Sequence, residues 1–208
     1  MYMTKLEGTR ATNVIKLVMN WQNDNHQNEL FYDKPGICPA CETVLEDHLH
    51  FLCCKDPVLY RLNTKAISKF HFELQKTRTA GVISGIFMAS LQALRAGDEP
   101  MEPLWKDDEM GRLGKQAWQE QSAIGWSHWV RGRFSAKWSV MQEKYYRSHP
   151  DMRSIKTCTG KGWAVRMIKG LITMLLEMWA GRCACLHGHT VAEKRLKKKE
   201  LLLLQTTL

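Results

Sequence analysis

The chain has 208 residues, of which 44% are hydrophobic and 25% charged, values typical of an ordinary globular protein. No apolar run approaches the roughly 20 residues that cross a bilayer, and residues 1–7 do not have the pattern of a signal peptide. We therefore expect an intracellular protein, nuclear or cytoplasmic, that does not enter a membrane. Seven cysteines, an odd number, argue against a fully paired disulfide framework and favour metal ligation.

Positive charge is concentrated in the second half of the chain. Residues 1–120 contain 14 Lys and Arg against 16 Asp and Glu, whereas residues 121–208 contain 16 against 5. The formal net charge is +9. This asymmetry predicts a polyanionic partner, RNA or DNA, for the C-terminal part, although a solvated basic surface without a partner would have the same composition.

Helical spacing dominates, so the sequence predicts a mostly α fold. The first helix carries Val14 to Trp21, and a second starts at Pro57. A third covers Val82 to Leu94 and ends at Gly97. The acidic, proline-containing segment 98–110 predicts a linker or exposed loop. It divides the chain into a portion 1–97 with a zinc knuckle between helices 1 and 2, and a basic helical portion 111–208. The two portions are either separate or packed as one domain.

The basic portion predicts two long helices. In 124–147 six apolar residues at spacings of three and four predict one helix face: Trp126, Val130, Phe134, Trp138, Met141 and Tyr145. Arg133, Lys137 and Lys144 form a neighbouring row, which either follows a phosphate backbone or packs over acids such as those of 98–109. The last helix, from about Trp163, is apolar around most of its circumference and must be buried. We expect Met167, Met174, Met178 and Trp179 in the core, beside a polar strip of Arg166, Lys169, Thr173 and Glu177.

Cysteine and histidine residues between positions 38 and 54 predict a zinc site. Cys38 and Cys41 form a C-x2-C pair, which lets two thiolates face one metal from a tight turn. His50 and Cys54 are four residues apart, on the face of a short helix opposite Leu45, Leu49 and Leu52. We therefore predict Cys38, Cys41, His50 and Cys54 as the ligands of a closed, structural Zn²⁺ site. His48 with Cys53, or a mixed pair, stays open as the second half of the set.

Other chemical groups do not predict a second site. Cys183, Cys185, His187 and His189 lie close in sequence, but their pairs face different directions on a helix, so we expect Cys183 and Cys185 to end a core helix that Gly188 stops. Glu46 and Asp47 are expected at a helix N-terminus or in solvent. The contiguous acids 107–109 suit solvation better than a Mg²⁺ cage. No nucleotide-binding, zinc-protease or serine-hydrolase motif is present, which predicts a protein that is not an enzyme.

Several of these residues resemble a known family. The run from Cys38 to Pro57, with Glu46 and His50-Phe51, is similar to the zinc-binding segment downstream of the polymerase in non-LTR retroelement reverse transcriptases, closest to retroelement-derived open reading frames of unicellular eukaryotes. Two later blocks continue the similarity, and their residues are Ile124-Gly125-Trp126, Gly132-Arg133, Trp138, Gln142, Tyr145-Tyr146, Gly162-Trp163, Trp179, Arg182 and His187-Gly188. Cys183 stands where the family has asparagine.

The resemblance implies a retroelement accessory region, with a helical body around the knuckle and contacts to template RNA or target DNA, but no polymerase. Combined with the charge, it predicts a non-enzymatic, zinc-stapled nucleic-acid-binding protein. The predicted phosphate contacts are Arg131, Arg133, Lys137, Lys144 and Arg147, with a basic tail of Lys194, Arg195, Lys197, Lys198 and Lys199. The alternative is a structural or protein-interaction module in which zinc only stabilises the fold, and a decayed element fragment is a third hypothesis. RNA or DNA preference and oligomeric state stay open.

Overall fold

A computed structural model shows a helical protein. The structure describes residues 8–21, 24–32 and 35–188 and residues 193, 195, 196 and 199. Within those ranges the backbone forms no β-strand, and one isolated antiparallel bridge joins Ile37 to Leu45. The helices are α1 (Gly8–Met19), α2 (Asn25–Tyr32), α3 (His50–Cys53), α4 (Pro57–Lys76), α5 (Gly81–Ala96), α6 (Glu109–Ile124), α7 (Trp126–Trp129), α8 (Ala136–Ser148), α9 (Pro150–Arg153) and α10 (Gly160–His187). The predicted mostly α class is confirmed. No described helix is long and apolar enough to cross a membrane.

Helix α10 is the centre of the molecule and packs against α4, α8, α1 and α3. Its buried side chains include Trp163, Met167, Leu171, Met174 and Met178, so the predicted core role of the three methionines is confirmed. Trp179 is partly buried against the same core. The helix extends through His187 and ends at Gly188, which has a positive φ of 88°, as the sequence predicts. The apolar side chains around most of α10 are therefore buried by neighbouring helices on several sides.

Helices α4 and α5 begin and end where the sequence indicates. The Asp56 side chain accepts hydrogen bonds from the backbone of Val58 and Leu59, and Pro57 occupies the first turn. Gly97 ends α5 in the left-handed conformation, with φ of 88°. Two predicted boundaries are thus confirmed by the local interactions that produced them.

The predicted single helix over 124–147 is wrong. The chain forms the short α7, turns at Gly132 with φ of 84°, and starts α8 after Ser135, whose hydroxyl caps the new helix. Gln121 of α6 holds this turn, because its side chain donates to the Arg133 carbonyl at 3.2 Å and accepts from the Ser135 amide at 2.9 Å. The interruption depends on a partner more than ten residues away, which helical spacing cannot reveal.

The acidic segment after α5 is an irregular connection that runs to the start of α6. Asp108 accepts from the Gly111 amide and caps α6, and Trp105 lies against Gly114 of that helix. Buried residues from both sides of the segment, among them Phe70, Phe87 and Trp138, belong to one hydrophobic cluster. The sequence did not predict α2, which precedes the cysteine-rich loop, or the short α3, which lies within it. The loop is therefore between α2 and α4.

Candidate metal centre

Four side chains in residues 38–54 converge on one point. The ligand atoms of Cys38, Cys41, His50 and Cys54 all lie within 4.8 Å of one another. The Sγ atoms of Cys38 and Cys54 are 3.8 Å apart, and Cys41 Sγ is 3.4 Å from His50 Nε2. These four residues are close enough to hold a metal ion, and three sulfurs with one imidazole are a donor set compatible with zinc. Among the residues that the structure describes, this is the one group of three or more such ligands that meets the distance requirement.

A tight loop presents the first two cysteines. The Cys38 amide donates to the Val44 carbonyl at 2.9 Å, and the Glu42 amide donates back to the Cys38 carbonyl at 3.0 Å. Glu42 adopts a positive φ of 54°, which reverses the chain after Cys41. The Ala40 amide also points at Cys38 Sγ, at 3.4 Å. The C-x2-C spacing therefore forms the compact turn that the sequence predicts, closed at its base by the Ile37–Leu45 bridge.

The second half of the cluster is positioned differently from the prediction. Helix α3 has four residues, His50 begins it and Cys54 follows its end, so the longer helix predicted to include Leu45 does not form. Leu45 lies in the bridge and is exposed, while Leu52 is buried. The Asn63 side chain of α4 fixes this short helix by donating to the carbonyls of Phe51, at 2.7 Å, and Leu52, at 3.2 Å.

The competing residues His48 and Cys53 do not belong to the four-residue group. Cys53 Sγ lies 3.5 Å from the Leu49 carbonyl, a contact along the backbone of the short helix. The pKa of His48 is lowered, first by partial burial and then by the nearby charge of Arg131. The geometry thus groups His50 and Cys54 with the C-x2-C pair.

The pKa values of two of the four residues, Cys54 and Cys41, are shifted in opposite directions. Burial raises the pKa of Cys54 to about 12, with further increases from the neighbouring Cys38 and Cys41. Burial also acts to raise the pKa of Cys41, but hydrogen bonds involving Thr43 outweigh it, and the net pKa is lowered. A cluster of partly buried thiols disfavours several negative charges unless a cation neutralises them, and a bound divalent metal would supply that charge.

A buried ion pair ties this loop to the end of the chain. Arg182 of α10 donates through Nε to Glu46 Oε1 at 2.6 Å and through Nη2 to Glu46 Oε2, and both side chains are at most 2% exposed. Glu46 also accepts from the Asn25 amide at 2.8 Å. The alternative that Glu46 would be solvated is therefore wrong, while its expected place at a helix N-terminus is confirmed, because Asn25 begins α2. No local pattern identifies this pair, because its members are 136 residues apart.

Among the described residues the second cysteine and histidine cluster forms no metal-binding group of its own, and one of its members packs against the first site. Cys183, Cys185 and His187 lie in the last turns of α10, and Cys185 packs against the cluster of Cys38, Cys54 and Leu59. Their assignment to the end of a core helix is confirmed, while His189 lies outside the described residues. Gly181 permits the close approach of α10 to α4, because a Cβ at this position would lie 3.0 Å from the Leu62 side chain.

The predicted row of Arg133, Lys137 and Lys144 does not lie on one helix, and the other predicted phosphate contacts have separate surroundings. Arg131 is buried and donates to Asn20 Oδ1 at 3.2 Å, whereas Arg133 precedes α8 and is exposed, as is Lys137 within it. Lys144 pairs with Glu109, and Arg147 pairs with Glu143 at 2.7 Å. In the basic tail Arg195 and Lys199 are exposed, and Lys194, Lys197 and Lys198 lie outside the described residues. The row proposed for one helix is therefore wrong, and part of it packs over acids of the same chain.

Comparison of the chain with protein-family models, with curated proteins and with solved structures gives no match. The resemblance to retroelement proteins stays a prediction. Its quoted residues nevertheless share a structural role, since several hold the turn between α4 and α5. Gln142 binds the backbone of Arg78 and Ala80, Tyr146 donates to the Thr77 carbonyl, and Trp163 donates to Thr79 Oγ1 at 2.8 Å.

Proposed function

We propose that Cys38, Cys41, His50 and Cys54 bind one structural Zn²⁺ ion. The observation that carries this assignment is the convergence of three sulfurs and one imidazole nitrogen within 4.8 Å of one another. Four protein ligands complete the tetrahedron that zinc prefers and leave no position for a catalytic water. The ion would join the 38–41 turn to the segment 50–54, which contains α3 and leads into α4. Little regular structure connects the turn to this segment.

Metal content of the purified protein tests this assignment. We expect about one zinc per chain, lost in the His50→Ala variant and retained in the His48→Ala variant. Zinc retained after His50→Ala but lost after His48→Ala would overturn the ligand choice while keeping the site. Absence of zinc from the wild-type protein purified without chelators would overturn the site itself.

We further propose that the zinc-stapled body is a non-enzymatic nucleic-acid-binding protein of retroelement origin. Its net charge of +9 and the exposed cations Arg133 and Lys137 support contact with phosphates. The clustered acids are already engaged: Asp107 pairs with Arg112, Asp108 caps α6, and Glu109 pairs with Lys144. This engagement argues against a magnesium cage and hence against a nuclease.

A structural or protein-interaction module is the second candidate. It is favoured by the pairing of Lys144 and Arg147 with acids of the same chain and by the burial of Arg131, because these contacts offset part of the positive charge expected to meet phosphates. A titration with single-stranded and duplex oligonucleotides at several salt concentrations separates the two. The nucleic-acid function requires an affinity that falls steeply with salt, and an absence of binding at low salt would leave the interaction module.

A further inference from the structure

An open groove of about 740 Å³ lies between α4 and α10. The two helices run antiparallel, because Gly170 lies against Phe70 while Gly181 lies against Leu62. The polar strip of α10, from Arg166 to Glu177, forms one wall, and residues 66–76 of α4 form the other. We call this feature the α4–α10 groove. The polar strip of α10 therefore faces this groove and takes no part in the candidate metal centre.

The walls of the groove carry an excess of positive charge. Four cations line it, Lys69 and Lys76 on α4 with Arg166 and Lys169 on α10, against the two acids Glu73 and Glu177. Each acid is already within ion-pair distance of a lysine, since Lys69 Nζ lies 2.8 Å from Glu177 and Lys76 Nζ 3.7 Å from Glu73. Two positive charges are therefore in excess of the acids. Such a surface favours an anionic occupant.

The accessible apolar surface of the groove is mainly one aromatic ring. Phe72 is 63% exposed, whereas Ala66, Phe70 and Met174 beneath it are each 2% exposed and belong to the closed core. An amphipathic helix from a partner protein would require a continuous apolar groove for several anchoring side chains. A single exposed ring beside cations is instead the arrangement on which a nucleic-acid base stacks while its phosphates meet Lys and Arg.

We propose that the α4–α10 groove binds single-stranded nucleic acid, with a base stacked on Phe72 and the flanking phosphates held by Arg166, Lys169 and Lys76. The proposal rests on the nucleic-acid-binding function proposed above and assigns it a site outside the basic segment 131–147. The Arg166 guanidinium has one nitrogen, Nε, that is buried without a hydrogen-bond partner, while its Nη2 donates to the Thr157 carbonyl at 3.2 Å. A phosphate in the groove would be attracted by the positive charge of this guanidinium.

Binding of labelled oligothymidylate and oligouridylate of about twelve nucleotides to the full chain tests the groove. Phe72→Ala should weaken binding on the order of tenfold, because it removes the stacking surface. The matched control is Phe31→Ala, which removes a ring that is 74% exposed on α2 and should leave affinity unchanged. Lys169→Gln should flatten the logarithmic salt slope by about 0.7, while Lys115→Gln on α6 should not. Circular dichroism of each variant verifies the fold, and the two oligonucleotides distinguish DNA from RNA.

Three results would overturn the proposal in distinguishable ways. Equal affinities of the Phe72 and Phe31 variants, with tight wild-type binding, would reject the groove and leave the nucleic-acid function in place. No binding of either oligonucleotide by the wild-type protein at low salt would reject both. Binding of a labelled acidic helical peptide that Phe72→Ala abolishes and that oligonucleotides do not displace would assign the groove to a protein partner.

Discussion

The metal loop, residues 35–56, and the basic segment, residues 126–148, differ in where their structure is decided. In the metal loop the converging residues are at most 16 positions apart, and they lie on a turn and one short helix, which Asn63 of the next long helix also fixes. In the basic segment the decisive contacts come from elsewhere. Gln121 holds the turn before α8, and Gln142 of α8 in turn binds the backbone of the 78–80 turn.

This difference shows that the spacing of candidate ligands along the sequence is informative even where the helix predicted to carry them is wrong. The metal loop keeps its four candidates together although α3 is much shorter than predicted. The basic segment loses Arg133 from the predicted row, because α8 begins only at Ala136, after the turn at Gly132. The predictions below test how far each region depends on distant contacts.

Metal removal should have the largest effect. Chelation of the zinc-loaded protein should lower its free energy of unfolding by more than about 4 kcal/mol, as expected when free zinc exceeds its Kd about a thousandfold. Thermal melting with and without chelator measures this change, and hydrogen exchange should locate the loosening in residues 35–56. The Cys38→Ser variant should show no further loss on chelation. A Cys53→Ser variant that behaved like Cys38→Ser would contradict the ligand set.

Breaking the buried Arg182–Glu46 pair should be the next largest effect. Arg182→Met leaves a buried carboxylate without its partner and should cost about 3–5 kcal/mol in urea denaturation. Lys69→Met is the matched control, because Lys69 also joins α10 through an ion pair, to Glu177, but is two-thirds exposed at its side chain. That change should cost less than about 1 kcal/mol. Equal costs would show that burial of the pair adds nothing to its contribution.

How much of the molecule the sequence predicts follows from these contacts. Helix ends that depend on adjacent residues, such as Pro57 at the start of α4 and Gly97 after α5, were predictable from local residue types. The proximity of the four candidate ligands was predictable from spacing. The pairing of Glu46 with Arg182 was not, since nothing local distinguishes a carboxylate that will be buried. The turn at Gly132 was missed because the apolar spacing on both sides of it matches one continuous helix.

Protonation of Glu143 should have a smaller effect. The pKa of this α8 carboxyl is lowered, first by a hydrogen bond from the Gly160 amide at the start of α10 and then by Arg147. A depressed folded-state pKa contributes stability above the ordinary carboxyl pKa, and the contribution disappears as pH falls through the folded value. Glu143→Gln should therefore lose about 0.5 kcal/mol near neutral pH and show a shallower loss of stability below pH 4.5. Parallel acid-denaturation curves for variant and wild type would contradict this.

The smallest effect concerns the cations of α8. Lys144→Gln breaks the ion pair with Glu109 and should lower stability by a few tenths of a kcal/mol, about the usual value of a surface pair. Lys137→Gln, at an exposed position of the same helix, should leave the urea midpoint unchanged. If nucleic acid binds this helix, the Lys137 change should instead reduce the salt slope of binding, which separates the two roles.

The separation of Glu46 from Arg182 also fixes an order of events during synthesis. The residues of the metal loop leave the ribosome first, and Arg182 follows 136 residues later. At the usual rate of elongation this interval is roughly 7 to 27 s. The four candidate ligands are therefore synthesised well before the Arg182 guanidinium that pairs with Glu46. Metal capture can precede burial of the carboxylate, and docking of α10 then completes the molecule around a loop that is already ordered.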